Sequence, residues 1–394
     1  MKHRWISLGL LLATALTATV WVGVDYRHHP RIVNGPLVQG VRPDGFILAW
    51  EVHPARPLEV TLTGPDGRTR TVAPQLTGSW CEATIAGLKP DTLYTYTIAG
   101  EPNGSARIRT APTGPKPFRF LAFGDSGDGE RPQYRIARQL ARWTPDLIIH
   151  TGDLVYPRGR IEDYPAHFFR PYAELIASVP LYPCLGNHDV RTDDGSALLD
   201  VFRLPHNGPP GQQPEREYWF DYGPVRFVAL DTNYHTDHLG AHVAPWLEGV
   251  LRDAGDRWKI VFFHEPVYTH GKYTEALKLH ETIVPVLDRT GVHLVLSGHN
   301  HMYERTFPMR GGVIAPDGAG TVYVTTGAGG AGLYDLRPDP PAYLAAWNGR
   351  QHSFTVVDVT PEVLVLRQIG ENGLSFDEAF IRRTDVPATS VAQR

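Results

Sequence analysis

Phe118-Arg119-Phe120-Leu121-Ala122-Phe123-Gly124-Asp125-Ser126-Gly127 sets the pattern on which the fold is read. A short, mostly apolar run predicts a buried strand, Gly124 permits a tight exit, and Asp125 projects a carboxylate from the sheet edge. The pattern recurs downstream. Leu147–His150 predicts a strand running into Gly152-Asp153-Leu154-Val155-Tyr156, and Val179–Leu185 feeds Gly186-Asn187-His188-Asp189. Trp258–Phe263 ends at His264, and Val292–Leu296 ends at Gly298-His299-Asn300-His301. Further strands are expected at Val225–Leu230, Thr321–Thr325, Ser353–Val357 and Val363–Leu366, and a helix over Tyr134–Trp143, with Ile136, Leu140 and Trp143 on one side. Strands alternating with helices predict an α/β core whose sheets are covered by helices. Such cores bind ligands beyond the carboxyl ends of their strands, where all these clusters fall.

The clusters share a chemistry. Asp125 and Asp153 offer hard carboxylate oxygens, and Asp153 is the better candidate to bridge two ions. Tyr156 offers a phenolate, credible beside a strongly polarising ion such as ferric iron. Asn187 adds a carbonyl oxygen, and His264, His299 and His301 add imidazole nitrogens. Strand alternation is expected to put His299 and His301 on one face. Mixed oxygen and nitrogen donors without thiolate exclude a structural zinc site and suit iron, manganese or zinc in a hydrolytic centre. His150 is expected beside the site, while His235, His238 and His242 read as a solvated loop and helix start. Asp189 and Glu304 are expected to orient neighbours, and Arg305 to pair with a carboxylate.

At 394 residues, two domains are the natural expectation. A hydrophobic content of 42% and a charged content of 20% suit a globular core. A formal net charge of −4 gives no reason to expect nucleic acid as a partner. Lys2 and Arg4 precede an uncharged run, residues 5–24, which reads equally as a cleaved export signal or a retained membrane anchor. Both place the rest outside the cytoplasm: periplasmic, secreted or anchored on the outer side. Cys81 and Cys184 are too few for a disulfide scaffold and read as small buried residues. Alternating runs such as Gly45–Glu51, Leu58–Leu62 and Leu93–Ile98 predict an all-β N-terminal region, closed by the Pro-rich linker Ala111–Pro117. The expected divisions are 1–30 (signal or anchor), 31–112 (β-sandwich), 118–383 (catalytic domain) and 384–394 (tail).

With these motifs in order, the chain resembles the purple acid phosphatases, within the calcineurin-like metallophosphoesterases. Trp219-Phe220-Asp221-Tyr222-Gly223-Pro224, Asp231-Thr232-Asn233 and Gly327-Ala328-Gly329-Gly330 extend the resemblance over about residues 31 to 383. It implies a fibronectin type III-like sandwich, whose Tyr corner would lie in Gly87–Tyr96, followed by a four-layer α/β metallophosphoesterase sandwich. It implies that Asp125, Asp153, Tyr156 and His301 hold Fe(III). Asp153, Asn187, His264 and His299 would hold a divalent zinc, manganese or iron ion. His188 would contact the substrate oxygen or leaving group, and His270 is a further candidate donor. The implied reaction is hydrolysis of a small phosphomonoester by hydroxide, the two cations lowering the pKa of a water. A phosphodiesterase with the same ions is the alternative; a non-catalytic surface binding protein or a metal or phosphate store belongs to a different class.

Overall fold

A computed structural model describes residues 29–101 and 104–383. The expected signal or anchor, residues 5–24, and the tail, 384–394, lie outside them. Among the described residues no helix is long and apolar enough to cross a membrane.

The N-terminal region is two four-stranded antiparallel sheets. One orders Arg31–Arg42, Gly45–His53, Trp80–Ile85 and Gln75–Thr77; the other orders Thr69–Val72, Val60–Thr63, Leu93–Ile98 and Ser105–Arg109. Residues two apart face the same side of a strand, so Phe46, Leu48 and Trp50 enter the core together and meet Tyr94, Tyr96 and Ile98. Tyr94 Oη accepts the Lys89 N–H at 3.0 Å, closing the expected corner. This region is docked beside the strand that leads to Asn187. Val41 N–H donates to Tyr182 Oη at 3.2 Å, and Tyr96 Oη donates to the Ala177 carbonyl at 2.6 Å.

Residues from 118 onward build two mixed sheets. In the six-stranded sheet, Leu181–Pro183, Leu147–His150 and Phe118–Phe123 run parallel, and Ser353–Val359, Val363–Gly370 and Ser375–Arg382 continue it antiparallel. The seven-stranded sheet orders Tyr218–Tyr222, Val225–Ala229, Trp258–Phe262, Leu294–Ser297, Val322–Thr326, Tyr303–Thr306 and Leu344–Asn348. Facing side chains fill the space between the sheets: the rings of Phe120 and Phe227 meet edge to face at 5.2 Å. The outward faces of the second sheet, Val228, Val261 and Val295, are covered by Leu247 and Leu287 from the helices Ala244–Arg252 and Val284–Thr290. Helices Arg131–Leu140 and Arg170–Ile176 lie by the first sheet, giving four layers.

Three local expectations need correction. The first helix spans Arg131–Leu140, not Tyr134–Trp143: Pro132 is tolerated in a first helical turn, and Ala141–Trp143 tightens to a 3₁₀ turn. The strands Tyr303–Thr306, Leu344–Asn348 and Ser375–Arg382 were not foreseen: the first and last carry charged residues within the strand, and Leu344–Asn348 is a five-residue strand at the sheet edge. The strand before His299 stops at Ser297, so His299 and His301 are not strand residues. Both cysteines are buried and unpaired, as expected.

Candidate metal centre

The loops leaving four parallel strands of the two sheets, with that leaving Leu181–Pro183, meet at one place. Asp125, Asp153, His264 and His301 are buried there. The ligand-capable atoms of Asp125, Asp153 and His264 all lie within 4.8 Å of one another. Around them the remaining side chains fall into two groups. Tyr156 Oη is 3.2 Å from Asp125 Oδ1 and 3.0 Å from His301 Nε2. On the other side, Asn187 Oδ1 is 3.0 Å from His264 Nε2 and 2.9 Å from His299 Nδ1. Asp153 Oδ2 stands 3.5 Å from His264 Nε2. All seven residues singled out as ligands are brought together.

Backbone geometry makes this convergence. Asp125, Asp153 and His299 have φ of 54°, 55° and 67°, left-handed values that cost a non-glycine residue energy and gather at functional sites. His299 and His301 therefore converge through a turned loop and not by strand alternation. The His299 N–H donates to both Asp125 oxygens, at 3.0 and 2.9 Å, which holds that turn. Gly186 serves close approach: a Cβ there would meet Asp153 Oδ1 at 2.2 Å. Asp189 staples two loops, accepting the N–H groups of Asp153 at 2.7 Å, Leu154 at 3.0 Å and Gly186 at 2.9 Å.

Ring hydrogen bonds aim the imidazoles. His264 Nδ1 lies 2.8 Å from the Thr151 carbonyl and His301 Nδ1 lies 2.7 Å from the Gly332 carbonyl. Each Nδ1–H donates outward, which leaves the Nε2 lone pair facing the centre, the arrangement of a metal-ligating histidine. Charges are complementary too. Burial alone would lower the His264 pKa, but Asp153 and Asp125 raise it to about 9, so a metal ion at Nε2 would displace a proton. Burial, with the neighbouring His264, brings His299 down to about 3. Burial would raise Asp125, yet His301, His264 and His299 hold it below the usual carboxylate range. Burial, then the charges of Asp125 and Asp153, push the Tyr156 phenol well up, so a phenolate here calls for a strongly polarising cation. Inward lone pairs, hard oxygens and no thiolate fit metal ions of the iron, manganese and zinc type.

His188 sits at the open side. Its Nδ1 is 2.8 Å from the Pro157 carbonyl, its ring meets Tyr156 edge-on, and Nε2 is 4.0 Å from Asp153 Oδ2. His270 is placed differently: its Nε2 is 2.7 Å from the Pro338 carbonyl, so the ring is committed to the segment beyond Tyr334. His150 is buried, 2.9 Å from Ser126 Oγ. His238 stacks on Tyr234, and His242 lies tilted against His238. Arg305 pairs with Asp377 at 2.7 Å, and Glu304 accepts the His270 N–H at 2.6 Å. Sequence reading missed Tyr273, stacked on His299 with centroids 4.3 Å apart, and Tyr334, stacked on His301 at 4.0 Å.

A buried Asp-Asp-His cluster that could hold a metal ion thus lies between two mixed sheets, at the carboxyl ends of their parallel strands. Residues 118–303 match the calcineurin-like phosphoesterase family, and this part of the chain is a calcineurin-like metallophosphoesterase domain. Its homologues include acid phosphatases and purple acid phosphatases. The chain is 27% identical over 285 residues to acid phosphatase type 7 of Mus musculus, covering 63% of each. It is 26% identical over 274 residues to probable purple acid phosphatase 20 of Arabidopsis thaliana, covering 66% of this chain and 63% of that protein. The chain thus spans less than two-thirds of the length of either relative. In fold it is similar to the purple acid phosphatase PPD1 from yellow lupin seeds, with a TM-score of 0.78 and 19% identity over 92% of this chain and 78% of that one.

Proposed function

We propose that the chain is an exported dinuclear-metal phosphatase that hydrolyses phosphomonoesters on the acid side of neutral. The observation that carries this reading is the division of the inward-facing donors into two groups flanking Asp153. Asp125, Asp153, Tyr156 and His301 would hold Fe(III), and Asp153, Asn187, His264 and His299 a zinc, manganese or iron(II) ion. Such a pair would supply Lewis acidity and a water of lowered pKa. The chain's own part is to fix the donors, exclude bulk water and place His188. That imidazole, steadied by the Pro157 carbonyl and the Tyr156 ring, stands where it can hydrogen-bond a phosphate oxygen or protonate a leaving group. The N-terminal sheets are read as a fibronectin type III-like domain of 31–112 that buttresses the strand leading to Asn187, an assignment supported by the Tyr94 corner and the Val41–Tyr182 contact. Export rests on Lys2, Arg4 and the uncharged run 5–24.

Turnover of p-nitrophenyl phosphate by protein loaded with iron and zinc tests the reading. Hydrolysis that is lost in Asp153→Ala supports it; no turnover with both metals bound points to storage or binding instead.

A further inference from the structure

The loop after His264 carries a cation that the metal site does not use. Lys272 is exposed and makes no ion pair with a carboxylate among the described residues; its Nζ sits 4.3 Å from the Tyr334 ring centroid and 5.3 Å from that of Tyr273. Those two rings lie directly on His301 and His299, with interplanar angles of 12° and 25°. Aromatic faces hold an ammonium without neutralising it. A full positive charge therefore stands one ring away from the two imidazoles that face the metal centre.

The loop is built to put it there. Asn300, between the two histidines, accepts the Tyr273 N–H at 2.9 Å and donates to Thr269 Oγ1 at 2.8 Å and the Tyr273 carbonyl at 3.2 Å. Glu304 anchors the same loop through the His270 N–H at 2.6 Å. Gly271 lies flat on the Asn300 side chain, and a Cβ there would meet Asn300 Cγ at 2.6 Å. Lys272 is thus registered against His299 and His301 by the residue that separates them. His270, in contrast, spends its ring on Pro338.

We propose that Lys272 selects the substrate's charge, favouring the dianionic phosphate of a monoester over the monoanionic phosphate of a diester. This rests on the phosphatase reading above. Of the two ester classes, only a monoester offers a second negative charge to an unneutralised ammonium beside the site. Lysine suits the task because it acts as a mobile point charge, without the fixed fork of arginine.

The test compares wild type, Lys272→Met and Lys272→Arg, all metal-loaded, at pH 7, where a phosphomonoester with a second pKa near about 6 is mostly dianionic. Turnover of p-nitrophenyl phosphate and bis(p-nitrophenyl) phosphate is measured, with calorimetric binding of inorganic phosphate and dimethyl phosphate. Lys272→Met is expected to lower monoester kcat/KM and phosphate affinity about ten- to hundredfold, the loss of one charged hydrogen bond, while diester turnover and dimethyl phosphate binding stay within about twofold. Lys272→Arg should recover most of the loss. Equal losses for monoester and diester, or unchanged phosphate affinity in Lys272→Met, overturn the proposal. If wild type hydrolyses neither ester but the selective loss of phosphate binding persists, the phosphatase reading falls and the role of Lys272 stands.

Discussion

Asp189 Oδ2 accepts the backbone N–H of Asp153 at 2.7 Å, tying the loop that carries the central carboxylate to the loop that carries Asn187. The same oxygen takes the Gly186 N–H, and Oδ1 takes that of Leu154. One carboxylate thus satisfies three buried donors that no strand or helix ladder serves. Burial, and then the Asp153 charge, push its pKa up to about 7 against the hydrogen bonds from Gly186 and Asp153.

Asp189→Asn turns an acceptor oxygen into an NH₂ facing a backbone N–H. One donor is left unsatisfied, and a loss of about 1–3 kcal/mol is expected. Denaturant unfolding of metal-free protein should show that loss. Metal titration should show weakened binding although no ligand has changed. Wild-type stability and metal affinity in Asp189→Asn would mean the loops are held by other contacts.

The His188 ring stands off the ligand oxygens, its Nε2 4.0 Å from Asp153 Oδ2, while its backbone N–H, which an alanine keeps, donates to Asp153 Oδ1 at 2.7 Å. His188→Ala is therefore expected to keep its metal content while kcat falls about a hundredfold or more, the usual worth of a positioned acid–base group. Parallel metal analysis and steady-state kinetics decide this. Loss of metal along with activity would make His188 a ligand.

Glu217 gives a pH signature away from the metal centre. It is buried without a side-chain hydrogen-bond partner; burial, then the Asp231 charge, push its carboxyl up to about 8, although Arg216 pulls the other way. A folded-state pKa above the unfolded value of about 4.3 means the fold prefers the protonated acid. Its contribution is complete below the unfolded pKa and is lost as pH rises through about 8. Glu217→Gln keeps the neutral shape, so its melting temperature should fall less than that of wild type between about pH 5 and pH 8. Identical slopes would show that Glu217 is ionised in the fold.

How far these features were legible in the sequence follows the range of the forces involved. Phe118–Phe123 and Leu147–His150 are local apolar runs, and their ends were placed to the residue. The side chains that converge at the candidate centre were legible because each follows such a run within a few positions. The route by which His299 and His301 converge was not. It depends on a positive φ at His299, fixed by a hydrogen bond to Asp125 from a distant part of the chain. Tyr334 and the commitment of His270 to Pro338 also arise from tertiary contact, and nothing near them in sequence marks the partner. Asn300 was quoted only as the spacer between two histidines, yet its amide organises the loop that carries Lys272.

On the proposed function, Asp153 joins two metal-holding groups, one of them completed by Tyr156. Metal analysis and the visible absorption spectrum of protein purified without added metal, beside Tyr156→Phe, test it most directly. Two metal ions per chain are expected, at least one of them iron, with a visible band that vanishes in Tyr156→Phe because a phenolate on a ferric ion supplies it. Iron-free, colourless protein, or a band that persists unchanged in Tyr156→Phe, would contradict it.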